Sequence, residues 1–141
     1  MQLQRRDLLA LLGAACAPAV WAQSAFPSKA LRIVVPFGAG GVADLTARTV
    51  GQKLSQTLGQ PVVIENKPGA GGVGAADTVA KAAPDGHTLL LMSNASAVTA
   101  TLFNKLPYDT VKDFTPVSTL GFFDIAVVTA SESKFKTLGE V

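Results

Sequence analysis

The chain is short of the residues that carry covalent and metal chemistry. Its 141 residues include one cysteine and one histidine. The cysteine, Cys16, falls inside an apolar N-terminal stretch, so a chain cut after that stretch has no thiol. Disulfides, thiolate metal sites and cysteine nucleophiles are then excluded together. With one histidine and no carboxylate cluster, no metal site is expected. No Gly-x-Ser-x-Gly elbow is present and no histidine stands near Ser93 or Ser96, so nucleophilic catalysis finds no support. Charge is also scarce: 16% of residues are charged and the formal net charge is +2. Without a Lys/Arg cluster interleaved with aromatics, nucleic acid is not an expected partner. The hydrophobic share of 48% rules out a disordered or coiled-coil composition.

Much of that apolar bias lies in residues 1–22. Arg5-Arg6 forms a charged n-region, Leu8 to Ala17 a short apolar h-region, and Val20-Trp21-Ala22 a small-residue cleavage site. The expected mature start is Gln23. The run is shorter than the ~20 residues a membrane span needs. Arg5-Arg6-Asp7-Leu8-Leu9 fits a twin-arginine signal as well as a Sec leader, and Cys16 after Gly13-Ala14-Ala15 is a weak lipidation site. Removal of the leader takes away Arg5, Arg6 and Asp7, leaving a nearly neutral chain.

What is abundant is glycine, and it is placed. Leu31 to Val35 is an apolar run suited to a buried parallel strand. It ends in Pro36-Phe37-Gly38-Ala39-Gly40-Gly41-Val42-Ala43-Asp44. A helix follows from Gly41 to Leu58, with Ala43, Ala47, Val50, Leu54 and Leu58 on one face. Gly59-Gln60-Pro61 stops it. A strand feeding a helix through glycines presents the helix's first N–H groups and its dipole to an anion. The device then repeats: Val62 to Asn66, or Pro61 to Glu65, reads as a second strand, and Gly69-Ala70-Gly71-Gly72-Val73 copies Gly38-Ala39-Gly40-Gly41-Val42 letter for letter. Two such seats at the same end of adjacent parallel strands would face one cleft.

Asp44 sits in the first helical turn, four residues before Arg48. It is expected to fix the loop and satisfy the dipole rather than touch a ligand. Lys67 is either an anion contact or a solvated loop residue. A second helix is expected with Ala75, Ala76, Val79 and Ala80 facing inward. His87 to Met92 reads as a third buried strand, ending in Ser93-Asn94-Ala95-Ser96 at the edge where ligands gather in open α/β sheets. Ser93, Asn94 and Ser96 are candidate polar contacts to a ligand, or Ser and Asn there cap the helix that follows. His87 starts this strand, at the wrong end to act, and is expected on the surface. Two further apolar runs, Thr115 to Leu120 and Ile125 to Thr129, precede a helix-like start at Lys136 to Val141.

Gly38-Ala39-Gly40-Gly41-Val42-Ala43 also satisfies a loose dinucleotide pattern, with Glu65 placed as a ribose-binding acid. The second glycine loop and the leader argue against that alternative. Neither loop carries the Lys-Ser/Thr ending of a nucleotide P-loop.

Val35 to Asp44, Glu65-Asn66-Lys67-Pro68-Gly69-Ala70-Gly71-Gly72, Pro84-Asp85-Gly86-His87-Thr88-Leu89-Leu90, Leu106-Pro107-Tyr108-Asp109 and Asp113-Phe114-Thr115-Pro116-Val117 together resemble the Bug family. These are periplasmic solute receptors of tripartite tricarboxylate transporters. The resemblance implies a type II periplasmic-binding-protein-like α/β lobe with a mostly parallel sheet. It also implies a small carboxylate ligand (di- or tricarboxylate, amino acid or aromatic acid), permease subunits as partners, a monomer, no cofactor and no enzymatic step. Implied contacts are Phe37, Gly38, Ala39, Gly40, Gly41, Val42 and Ala43 in the first loop. In the second they are Lys67, Pro68, Gly69, Ala70, Gly71 and Gly72. Ala43 departs from the usual Thr or Ser, and His87 from the usual Tyr. Family chains are longer. The expected organisation is therefore a signal peptide at 1–22, an N-terminal lobe at 23–130 and the start of an incomplete second lobe at 131–141. A non-functional fragment is the other reading.

Overall fold

The computed structural model describes residues 26–124, 126 and 128–140. The leader, its cleavage site and Cys16 lie outside the described residues. Three strands, β1 (Leu31–Val35), β2 (Val62–Asn66) and β3 (Thr88–Leu90), form one parallel sheet in the order β2-β1-β3. Three helices connect or follow them: α1 (Val42–Leu58), α2 (Val73–Ala80) and α3 (Asn94–Leu102). The sheet is thus the expected α/β type, and wholly parallel within these residues.

Register explains the two faces. Ile33 pairs with Ile64 and Leu89, so these three point to one side; Val34 pairs with Glu65 and Leu90 on the other. Ile33, Val35 and Ala47 make the buried core under α1, with Val62, Ile64, Leu89 and Leu91 packed around it. Ala75 and Ala76 of α2 are buried and meet β1 and β3 from the opposite side. β1 is therefore covered on both faces, which is why it reads as a continuous apolar run. The connection after β1 goes one way across the sheet and the connection after β2 comes back over it. The strand order reverses between β1 and β3, and crevices at such a point open at the carboxyl ends of the strands.

Small residues let the layers approach. Gly51, buried in the middle of α1, has no side chain because a Cβ there would lie 3.2 Å from both Val62 Cγ1 and Ile64 Cδ1. Gly59 ends α1 in the left-handed conformation, its N–H donating to Ser55 O at 3.1 Å.

β2 takes the Val62–Asn66 span, the later of the two bounds expected, and Lys67 N donates to Val35 O at 2.8 Å just beyond it. Two expectations change. β3 is only three residues long, since the ladder to β1 stops where the chain turns toward α3. His87 is buried rather than on the surface: its ring packs against Phe26, centroids 4.8 Å apart, and Nδ1 is 3.0 Å from Asp85 O. The Asp85 side chain turns back onto His87 N at 3.0 Å and pairs with Lys29 at 2.8 Å, so this cluster closes the amino edge of the sheet. His87 does lie opposite the glycine loops, as its position at the head of β3 implies. Of the two later apolar runs, residues 115–120 form no strand, and Ile125 and Val127 lie outside the described residues. Val117 and Phe122 are 81% and 94% exposed. An apolar run becomes a strand only where a neighbour completes its ladder and covers its face. Residues 138–140 make a single 3₁₀ turn.

Filling the close approach at Gly51 tests the packing. Gly51→Leu is expected to lower the unfolding free energy by about 1–3 kcal/mol, the usual range for overpacking. Chemical denaturation would measure it, and an unchanged midpoint would mean that α1 can lift from the sheet without loss.

Candidate functional site

The site is built at the carboxyl edge, where three turns meet. The first runs from Pro36 to Gly41. Gly40 has φ +84° and Gly41 is the extended residue before α1, with no side chain to cap the helix. Residues 38–42 are exposed, so the opening N–H groups of a seventeen-residue helix face solvent with the helix dipole behind them.

This turn is held from below. Asp44 is 2% exposed, and its Oδ2 accepts from Gly40 N at 2.8 Å and from Arg48 Nε at 2.9 Å. Arg48 Nη2 reaches on to Asn66 Oδ1 at 3.1 Å, and Asn66 Nδ2 donates to Phe37 O at 3.1 Å. The carboxylate is thus spent on the loop and turned away from the open edge. The Arg48 guanidinium, and then the Gly40 N–H, hold the Asp44 carboxyl down to about 2 from its ordinary 3.8.

The second turn has the same five letters and a different shape. Gly69, Ala70, Gly71 and Gly72 all have positive φ, at +119°, +44°, +63° and +86°. Ala70 is the only described non-glycine residue in that region, a conformation that costs an L-residue roughly 1–2 kcal/mol. Gly72 N donates to Gly69 O at 2.8 Å and Val73 N to Ala70 O, closing the turn on itself. The two turns touch: a Cβ on Gly72 would lie 2.9 Å from Pro36 Cβ. Glycine here is a condition of bringing both turns to one edge.

The third turn carries Ser93 and Asn94. Ser93 Oγ accepts from Ala95 N at 3.2 Å, so its hydroxyl caps α3, and Asn94 is exposed in the first helical turn. Lys67 sends its ammonium to Glu65 Oε1 and Thr78 Oγ1, both at 3.2 Å, bracing β2 against α2. Pro68, Gly69 and Ala70 of the second turn and Gly38, Ala39, Gly41 and Val42 of the first are exposed, while Phe37 and Ala43 are half-buried.

Sequence reasoning missed three contributors. Asn66 was assigned no role, though its pairing with Val35 places it beside the first turn. Pro36 was read only as a strand stop. Thr99 was not considered at all, yet it is 3% exposed and its Oγ1 lies 3.0 Å from Gly71 O. A threonine in a small-residue helix gives no sequence signal of such a contact.

Solved structures of periplasmic binding proteins superpose on this α/β lobe. MatC (Rpa3494) of Rhodopseudomonas palustris, with bound malate, is 49% identical, with a TM-score of 0.63 over 67% of this chain and 33% of that one. R. palustris Rpa4515, with adipate, is 38% identical, with a TM-score of 0.60 over 65% of this chain and 31% of that one. Within the class, the receptors of tripartite tricarboxylate transporters match residues 46–141. The chain belongs to that receptor family. A UPF0065 protein of Bordetella bronchiseptica is 43% identical over 99% of this chain and 42% of its own length. BugT of Bordetella pertussis is 41% identical over 80% of this chain and 35% of its own length. The chain therefore spans less than half the length of these relatives.

The Asp44 knot has a pH signature. Its folded pKa lies below the ordinary value, so the stability it contributes is fully present above about pH 4 and drains as pH falls from 3.8 toward about 2. Asp85 is lowered into the same window, first by Lys29 and then by the His87 N–H. The quantity to measure is therefore the difference between wild type and Asp44→Asn in thermal melts from pH 6 to pH 2. That difference is expected to be largest at the upper end and to shrink with acid; a constant difference would assign the loss to packing.

Proposed function

We propose that this chain forms the ligand-docking lobe of an extracytoplasmic solute receptor that captures a small carboxylate for a tripartite tricarboxylate transporter. One observation carries the reading. Two glycine turns, one leading into an uncapped helix, lie against each other at a single edge with the Asp44 carboxylate turned inward. Backbone N–H groups and helix N-termini are suited to a carboxylate, whose two oxygens accept several short hydrogen bonds at once. The relatives support the class of ligand, since two structures similar to this chain hold malate and adipate.

The event is capture, with no bond made or broken in the ligand. The acid docks against Gly38 to Ala43 and Pro68 to Gly72, with Ser93 and Asn94 closing the third side. A second lobe closes over it by hinge motion, and the closed form is presented to the membrane permease. Ser93 serves through its backbone position, its hydroxyl being the α3 cap. Lys67 acts by shaping the second turn from behind. The receptor works in the periplasm, is exported by the N-terminal leader, and acts as a monomer without a cofactor. Residues 23–130 form the lobe, and 131–141 begin the crossing to the second.

Calorimetric titration of the complete receptor with a panel of di- and tricarboxylates, malate and adipate included, tests this. At least one acid is expected to bind saturably. Gly38→Asp is expected to abolish that binding while leaving the melt within a few degrees, because open space surrounds a Cβ at Gly38 and its φ lies outside the left-handed region. The introduced carboxylate would occupy the anion's place. Undiminished affinity in this variant would overturn the assignment of the site.

A further inference from the structure

The two glycine turns have identical sequences but are pinned by different means, and the difference identifies a residue that positions the second. In the first, Asp44 reaches back from α1 to Gly40 N. The second motif lies 31 positions on, so Gly71 corresponds to Gly40 and Ala75 to Asp44. Alanine cannot make the contact. The turn is nonetheless held in four successive positive φ values, including that of Ala70, and such a conformation persists only where surroundings impose it.

We infer that Thr99 of α3 is the positioning residue of the second anion turn, replacing from a separate helix what Asp44 does within its own. Thr99 is buried, and its hydroxyl shares its proton between Ala95 O at 2.7 Å and Gly71 O at 3.0 Å. The bond to Ala95 is the ordinary helical choice for a threonine. The bond to Gly71 joins two elements distant in sequence at the motif position that Asp44 pins in the first turn. The approach is close enough that a Cβ on Gly71 would lie 2.6 Å from Thr99 Oγ1. Ser93 caps the same helix at the site's third side, so through Thr99 the second and third turns are held as one body.

The role in ligand capture rests on the reading of these turns as an anion seat, but the test needs no ligand. The Gly72 and Val73 amides close the turn through Gly69 O and Ala70 O, so their hydrogen exchange reports its order. In Thr99→Val, which puts a methyl group against Gly71 O, and in Thr99→Ala, which leaves a gap, exchange at these two amides is expected to quicken by about ten-fold or more. The Lys67 and Leu91 amides, bonded to Val35 O and Val34 O, are expected to hold their wild-type rates. Thr99→Ser keeps the hydroxyl and is expected to restore slow exchange at Gly72 and Val73. Wild-type exchange in Thr99→Ala would overturn the inference. So would equal acceleration at Lys67 and Leu91, or failure of Thr99→Ser to rescue, since either would mark general packing. A receptor that binds no carboxylate would refute the proposed ligand and leave this result standing.

Discussion

The buried carboxylate of Asp44 is the constraint on which the edge of this lobe depends. A glycine turn has little intrinsic preference for one shape, because glycine loses more freedom on ordering than any other residue. Here one oxygen holds the turn through Gly40 and holds Arg48, which reaches Asn66 and so the Phe37 carbonyl. Both ends of the first turn are thus fastened to elements of the sheet. Arg48 also settles the electrostatics: an unpaired carboxylate beneath this edge would repel any anion there, whereas an ion pair presents almost no net charge. What the edge itself presents is oriented backbone dipoles.

Packing then brings the second turn to the first. Gly72 meets Pro36 at a distance that forbids a side chain, Gly51 lets α1 lie close on β2, and alanines let α2 lie close on β1. Large side chains at these positions would improve burial locally and separate the turns. The lobe spends small residues where geometry matters and keeps its branched aliphatic residues in the strands.

Much of this was legible. The β1 and α1 spans followed from an apolar run, a glycine turn and a helical stripe bounded by Gly59 and Pro61. The Asp44–Arg48 pair followed from a spacing of four. Each signal is local. What escaped was decided at a distance. His87 is buried because Phe26, far away in sequence, covers it and Asp85 folds back on it. β3 is short because the chain turns away toward α3 while β1 still runs on to Val35. Residues 115–120 have strand composition and no strand, since composition cannot supply a neighbour. The identical pentapeptides are the sharpest case: the same letters gave the same expectation, yet only one turn carries a positive φ at its alanine.

That contrast bears on the capture proposed for this lobe. Polar groups fixed in advance lose little entropy when an anion arrives, so affinity depends on holding each turn in its binding shape beforehand. The first turn is held by its own helix and by Asn66 of β2, the second by Pro36 on one side and Thr99 on the other. The first is therefore the more autonomous seat, formed whenever β1, α1 and β2 form. The second exists only when α3 is docked, and α3 begins at the site's third side. On the proposed reading, contacts that an acid made beyond its first carboxylate would bear on that dependent part of the edge, which would couple discrimination between acids to the docking of a helix.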